Sequence, residues 1–468
     1  MYMRKLLLIL LALPTVCSAQ SLIWGDVKVV IEELSMGYAR PKIHLDANNE
    51  PVVMWGRATN REVFVSTMNN GAFGAPVMVT PDGGSAYVQS WTGPSLATRG
   101  DSVFVAYKSM PDMEGFVYVR GSLDGGKTFG DTVRIPNDSW ARFPEVSIGP
   151  DGQVVVDFMK FEPGFMEPHY ATSVSWDGGQ TFSEPLSASG GAVGEACDCC
   201  PGFVLADGDR IVVMFRNNDS DLRDMWVSVS EDGGVSYVGA DVDNNNWMIS
   251  SCPSTGPEAI LLGDSLYMAW MSGATGYSRV NVGKVNLTNL SSAVNYELTP
   301  NAQSNQNYPK VAGNKDVLGV VYQESAAGNT DIRFAFSTTG VEGLMTMSAE
   351  LVNVDLLGTQ MNPDVVYANG MFHFVWQDQK SKAVLYRSAQ VDFTSEINQE
   401  QLVRIGTVFP NPATNKLSVS GKGFFEIFSM DGSLMFSGDG NEVDIKAWPV
   451  GAYVLKGNTG YSQRFVKE

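Results

Sequence analysis

One short pattern occurs three times and constrains the fold more than any other feature: Ser122-Leu-Asp124-Gly-Gly126-Lys-Thr-Phe129, Ser175-Trp-Asp177-Gly-Gly179-Gln-Thr-Phe182 and Ser230-Glu-Asp232-Gly-Gly234-Val-Ser-Tyr237. A tight turn returning at a near-constant interval marks a repeat architecture. The glycines supply positive φ for a hairpin. The Ser and Asp oxygens can bind nearby backbone N–H groups, and the aromatic residue begins the return strand.

A longer unit surrounds these turns. It opens on Pro41, Pro94, Pro144, Pro201, Pro257, Pro309 and Pro363, spaced 53, 50, 57, 56, 52 and 54 residues apart. Each proline leads into a short strand, a turn and an apolar run such as Ile211-Val212-Val213-Met214-Phe215 or Phe372-His373-Phe374-Val375-Trp376. A third β-rich run leads to the aspartate turn where that turn survives; Ser66, Asn69, Gly71 and Phe73 form a worn fourth copy. Four short strands in ~50 residues describe a propeller blade. The expectation is an all-β fold, a β-propeller with seven four-stranded blades favoured and six as the alternative, over residues 20–393. A tandem of β-sandwiches is the competing architecture. The last unit shows three strands, and Val27–Ile31 precedes the first unit, so this N-terminal run is expected to close the ring and leave no open sheet edge.

The ends differ from the repeat. Residues 1–19 carry Arg4 and Lys5, an apolar core Leu6–Leu13 and a small-residue site before Gln20, the pattern of a secretory signal peptide. Cys17 suggests a lipoprotein, but Val16 fits that signal poorly. No other segment is apolar enough for a membrane span. The net charge of −19 becomes −21 when Arg4 and Lys5 leave and no acid does. That argues against nucleic acid and anionic membranes as partners. Residues 394–402 read as a polar linker, and 403–468 as a small β-sandwich.

Four cysteines remain after the leader: Cys197, Cys199, Cys200 and Cys252. They fall just before two successive prolines. An even count in an exported chain favours disulfides, with Cys252 joining one of the cluster. A thiolate metal site is the alternative, but adjacent Cys199 and Cys200 depart from the usual paired-ligand spacing. The expectation is therefore no metal and no cofactor.

Two resemblances follow from these residues. The tail, through Pro410-Asn411-Pro412-Ala413, Met430-Asp431-Gly432 and Pro449-Val450-Gly451-Ala452-Tyr453, resembles the type A sorting domain of the type IX secretion system of Bacteroidota. This implies export through the outer membrane by that machinery, then release or surface attachment. The turns resemble the Asp boxes (BNR repeats) of the sialidase superfamily. Asp boxes are structural in that family and lie on the outer rim, which would make Ser122, Asp124, Gly126, Phe129, Ser175, Asp177, Gly179, Phe182, Ser230, Asp232, Gly234 and Tyr237 scaffold residues.

The sialidase resemblance asks for an arginine triad, a Tyr–Glu pair and an Asp acid/base. Arginine forks match a carboxylate, and a Tyr nucleophile keeps a second anion away from it. Trp140-Ala141-Arg142-Phe143-Pro144 and Tyr38-Ala39-Arg40-Pro41 are the two partial matches to the family's first arginine motif. Residues before each proline and after each second strand should crowd one face. These are Arg40, Trp91, Arg142 and Tyr308, then Arg57, Arg216, Glu324 and Asp378, with Asp157 and Glu162 nearby. The catalytic candidates are Arg40, Arg142, Arg216, Tyr308, Glu324 and Asp378. With three histidines, His44, His169 and His373, a histidine metal centre or Ser-His-Asp triad is poorly supported. Two function classes stay open. One is an exported glycan-directed propeller that binds or hydrolyses carbohydrate; the other is a noncatalytic adhesion or protein-interaction propeller.

Overall fold

A computed structural model describes residues 21–33, 37–112, 114–136, 140–392, 408–420, 424–457 and 462–468. The expected leader, the linker and residues 403–407 lie outside the described residues. Two compact units are present, one spanning 22–391 and one containing the C-terminal segment from Asp392.

The larger unit consists of seven antiparallel sheets, most with four strands in chain order. Blade 1 contains Lys42–Leu45, Pro51–Arg57, Glu62–Asn69 and Val77–Met78, and blade 2 Ser95–Arg99, Ser102–Lys108, Val117–Ser122 and Thr132–Arg134. Blade 3 contains Ala141–Ile148, Val154–Glu162, Met166–Ser175 and Leu186–Ser187, and blade 4 Phe203–Asp207, Arg210–Asn218, Met225–Ser230 and Val238–Asp241. Blade 5 contains Glu258–Leu262, Ser265–Ser272, Arg279–Asn286 and Asn289–Glu297, and blade 6 Asn305–Gly313, Leu318–Ala326, Asn329–Ser337 and Glu350–Leu351. Blade 7 has Gln360–Ala368, Met371–Asp378 and Ala383–Asp392. The first strands neighbour one another around the ring, and the seventh returns to the first. The architecture is therefore an all-β propeller with seven blades.

Each second strand is apolar on both faces because each face meets a different blade. In Arg210–Asn218, Ile211, Val213 and Phe215 pack with blade 3, whereas Val212 and Met214 pack with Ala259, Leu266 and Trp270 of blade 5. This is why these strands read as continuous apolar runs and not as alternating ones. Separate apolar clusters fill the seams between successive blades, including blade 7 against blade 1. Each fully buried Val, Leu or Phe contributes about 1.5–3 kcal/mol.

The ring closes through the N-terminus. Lys28–Glu32 pairs with Ala383–Asp392, and Ser21–Trp24 completes the path of blade 7. Val30 joins the seam between blades 7 and 1. Trp24 packs on Phe374 at 5.4 Å and donates through Nε1 to Glu350 of blade 6 at 2.8 Å. The worn fourth turn contributes here too, since the Gly71 carbonyl accepts from Lys28 Nζ.

The three aspartate turns share one geometry. Asp177 Oδ1 accepts from the backbone N–H groups of Gln180 (3.0 Å) and Thr181 (2.9 Å), and Oδ2 accepts from Thr181 Oγ1 (2.6 Å). Ser175 Oγ donates to Asp177 and accepts from Gly179 N–H. Asp124 with Ser122, and Asp232 with Ser230, repeat the network. Hydrogen bonds to the ionised form hold all three carboxyls at about 2. The second glycine of each turn meets a neighbouring blade: a Cβ at Gly179 would lie 2.4 Å from Phe104. Phe129, Phe182 and Tyr237 pack against the seams.

The C-terminal unit has two sheets, one of Val408–Phe409, Lys416–Val419 and Glu442–Asp444, the other of Phe424–Ser429, Leu434–Asp439, Gly451–Gly457 and Ser462–Lys467. Leu417, Phe425, Ile427, Val443, Tyr453 and Leu455 form its core.

Candidate functional site

The seven prolines position the site. The residue before the proline adopts a left-handed backbone at Arg40 (φ 46°), Phe143 (φ 56°), Tyr308 (φ 51°) and Asn362 (φ 51°). A non-glycine residue rarely adopts this conformation, and a following proline disfavours it further. In blades 3, 6 and 7 the same point carries a register shift, between Arg142 and Glu145, Asn307 and Lys310, and Met361 and Asp364. Each first strand there begins with a bulge that re-aims a side chain. Backbone strain of this kind concentrates at functional positions.

These residues form an arc around the propeller mouth. The Arg40 guanidinium lies over the Tyr308 ring, 5.2 Å from its centroid. Gly93, before Pro94, makes room for Arg40, whose Cβ would lie 3.0 Å from a Cβ at that glycine. Asn362 Nδ2 donates to the Ser90 carbonyl at 3.1 Å, and Trp91 meets Phe143 edge-on at 5.3 Å. Burial lowers the pKa of Arg40 and raises that of Tyr308, with each partner opposing the shift of the other.

The residue after each proline forms a ring one step further in: Lys42, Ser95, Glu145, Gly202, Glu258, Lys310 and Asp364. Lys42 Nζ lies 3.8 Å from Glu145 Oε1, and Lys310 pairs with Glu258. Asp364 accepts from the Ile43 N–H at 2.8 Å, and Ser95 Oγ donates to Glu145. Burial pulls the Lys42 pKa down, but Glu145, Glu258 and Asp364 override it and drive the net shift upward. Burial likewise works to raise Glu258, and Lys310 and Lys42 hold it below its ordinary range instead. The two lysines thus offset two of the ring's three carboxyls. Below the ring lies an axial cavity of about 240 Å³ lined by first strands of all seven blades. His44 lines it, and burial holds this imidazole at about 4.

Asp157 stands apart. It pairs across blade 3 with Glu145, is fully buried, and neither carboxyl oxygen has a hydrogen-bond partner among the described residues. Burial, then the Glu145 charge, push its pKa well up. Gly202 makes space here, since a Cβ would come within 2.5 Å of Tyr170 and 3.0 Å of Asp157.

Of the six catalytic candidates, Arg40 and Tyr308 come together. The other four are engaged elsewhere. Arg142 pairs with Asp112 and lies over Phe165 at 4.2 Å. Arg216 is fully buried, donates to the carbonyls of Arg223 and Met271, and lies over Trp247. Glu324 binds Arg333 at 2.9 Å and Ser304 at 2.8 Å. Asp378 accepts from the Lys380 N–H and Ser381 Oγ in its own turn. Arg57 bridges Glu33 and Glu62, Glu162 is exposed, and His373 is buried against the Tyr386 hydroxyl at 2.8 Å. Sequence reasoning chose positions before the prolines and after the second strands, and overlooked those directly after the prolines. The signal was present in the same alignment of repeats, where the position after proline carries five charges in seven copies.

The four cysteines also converge. Cys197 Sγ lies 2.8 Å from Cys200 Sγ and 3.6 Å from Cys199 Sγ, and Cys199 and Cys252 share a cluster within 4.8 Å with Asp198.

No protein-family model matches this chain, and no curated protein matches it in sequence. Solved structures do resemble it. An ulvan lyase of polysaccharide lyase family 25 has a TM-score of 0.50 at 10% identity, covering 78% of this chain and 93% of its own. A protein of unknown function from Dyadobacter fermentans has a TM-score of 0.46 at 16% identity, covering 67% and 98%. A Trypanosoma rangeli sialidase has a TM-score of 0.44 at 12% identity, covering 96% and 89%. At these identities the likeness is one of fold, and the ulvan lyase match accords with the β-propeller architecture.

Proposed function

We propose that this protein is an exported, glycan-directed propeller that binds carbohydrate at the axial mouth through Arg40, Trp91 and Tyr308. The observation that carries this reading is the strained arc before the prolines, which sets a guanidinium over a tyrosine ring. Aromatic faces accept the C–H faces of sugars, and guanidinium groups donate to hydroxyls, carboxylates or sulfates. The ulvan lyase with the similar fold is bound to a GlcA(1-4)Rha3S unit, which supports a glycan ligand. Binding without turnover fits the site best, because Arg142, Arg216, Glu324 and Asp378 are each held by other partners.

A glycan array probed with the full chain and with Tyr308→Ala and Arg40→Ala tests this, alongside a fluorogenic sialoside. We expect a subset of glycans to bind, at least ten-fold more weakly in either variant, with no fluorophore released. Binding unchanged in both variants refutes the assigned mouth. Silence on the array moves the reading to a protein-interaction propeller, and fluorophore release moves it to hydrolysis. In the same reading residues 1–19 are the export leader and 403–468 the type IX address label. Deleting 403–468 should leave the propeller in the periplasm of a Bacteroidota host; undiminished export refutes that role.

A further inference from the structure

Cys197, Cys199 and Cys200 occupy the turn before Pro201 of blade 4, and Cys252 lies in the corresponding segment before Pro257 of blade 5. The Cys200 N–H donates to the Cys197 carbonyl at 3.0 Å. This closes a turn whose Cα ends lie within the span that a disulfide bridges. The three cluster thiols are buried and Cys252 is exposed. Cys252 groups with Cys199 and Asp198, not with Cys197 or Cys200. Four thiolates around a tetrahedral metal would sit about 3.8 Å apart, from Zn–S bonds of about 2.3 Å. Here Cys197 and Cys200 are closer than that, at 2.8 Å, while Cys252 stands off. Arg223 also donates to Cys197 Sγ at 3.1 Å, placing a cation where a metal ion would add another. The arrangement divides the four sulfurs into two pairs.

We propose that these cysteines form two disulfides, Cys197–Cys200 within the turn and Cys199–Cys252 between the starts of blades 4 and 5. Each forms by thiol–disulfide exchange with a disulfide oxidant such as oxidised glutathione. A protein thiolate attacks one oxidant sulfur and expels a thiolate. The second cysteine, losing its proton, attacks the mixed disulfide and expels the other. Two electrons and two protons leave the protein, and the oxidant S–S becomes two thiols. Cys252 is exposed and so is the thiol that an oxidant in solution reaches first. The second bond tethers the mouth rim between blades 4 and 5, while on the other side of blade 4 the Cys200 carbonyl accepts from the Tyr170 hydroxyl of blade 3. This inference does not depend on the glycan reading.

The test is to treat the full chain with oxidised glutathione, denature it with N-ethylmaleimide and a chelator present, and locate labels by peptide mass. We expect no label on these four cysteines after oxidation and four after reduction. Cys252→Ser should then carry one label, on Cys199, and Cys197→Ser one label, on Cys200. Labels on any of the four in the oxidised wild type, as free thiols or a chelator-stripped metal site would give, overturn the proposal. So does Cys252→Ser labelled on Cys197 or Cys200; because Cys252 is exposed, that variant keeps the fold available for the test.

Discussion

Removing one charge from the axial ring should cost far more than removing a matched pair. Lys42 and Glu145 face each other at 3.8 Å with side chains 10% and 15% exposed, so water screens them little. At an effective dielectric of about 20 their attraction is ~4 kcal/mol. Desolvation of both groups offsets most of it, which makes the intact pair nearly neutral for stability. Glu145→Gln keeps the shape and leaves Lys42 buried without that partner, near Arg40, whose charge opposes it. Breaking a buried pair costs about 3–5 kcal/mol, and because Glu258 and Asp364 still act on Lys42 we expect the lower end, ~3 kcal/mol. Lys42→Met should cost less, because Ser95 Oγ still donates to Glu145. The double variant should return to within ~1 kcal/mol of wild type. Urea unfolding at pH 7 reads all four proteins without the screening that guanidinium adds. A Glu145→Gln cost below ~1 kcal/mol, or a double variant equal to the sum of the singles, would refute the coupling of Lys42 to Glu145.

Three further expectations concern the scaffold. Gly179→Ala forces a Cβ to 2.4 Å from Phe104 at φ +83°, whereas a Cβ at Gly178 (φ +75°) meets nothing within 4 Å. The first should lose at least ~2 kcal/mol in urea unfolding and the second about 1 kcal/mol; equal losses would contradict the blade contact. The three turn aspartates have folded pKa values of about 2 against 3.8 for the free group. Their stabilisation is thus full above about pH 4 and lost as pH falls through 2. The Asp124→Asn, Asp177→Asn, Asp232→Asn triple variant should flatten the fall in melting temperature over that window, and an unchanged pH profile would remove the turns from the acid response. Deleting residues 21–32 removes both closing strands and exposes an edge of blade 7, so the melting temperature should drop; an unchanged value would show that closure contributes nothing.

The scaffold was legible because its signals repeat. The proline spacing and the aspartate turns define seven units, and the missing strand of the seventh points to Val27–Ile31, of which Lys28–Ile31 pairs with blade 7, whereas Ser21–Trp24 on the same blade was not foreseen. The site was legible only in part. Arg40 and Tyr308 lie 268 residues apart in sequence, and their stacking follows from ring closure, which no local pattern encodes. Arg216 illustrates the opposite error. It ends an apolar strand on the expected face, yet Met271 and Trp247 of later segments enclose it, and a long-range contact of that kind leaves no trace in spacing. The cysteines were legible as a group, but their division into pairs needed the separation of Cys252 from Cys197 and Cys200.

The positions flanking each proline show where specificity can reside in a repeat protein. Before the proline the seven residues are Arg40, Gly93, Phe143, Cys200, Gly256, Tyr308 and Asn362; after it they are Lys42, Ser95, Glu145, Gly202, Glu258, Lys310 and Asp364. The proline itself does not vary, because every blade needs the same start to its first strand. Its neighbours vary because the ring closes them onto one axis, where identical residues would clash or repel: seven lysines could not share that space, nor seven glutamates. The glycines fall where another residue occupies the volume, Gly93 beside Arg40, Gly256 beside Pro201 and Gly202 beside Tyr170 and Asp157. Symmetry of the backbone therefore demands asymmetry at the axis, and a ligand of this propeller will be read by the residues that break the repeat.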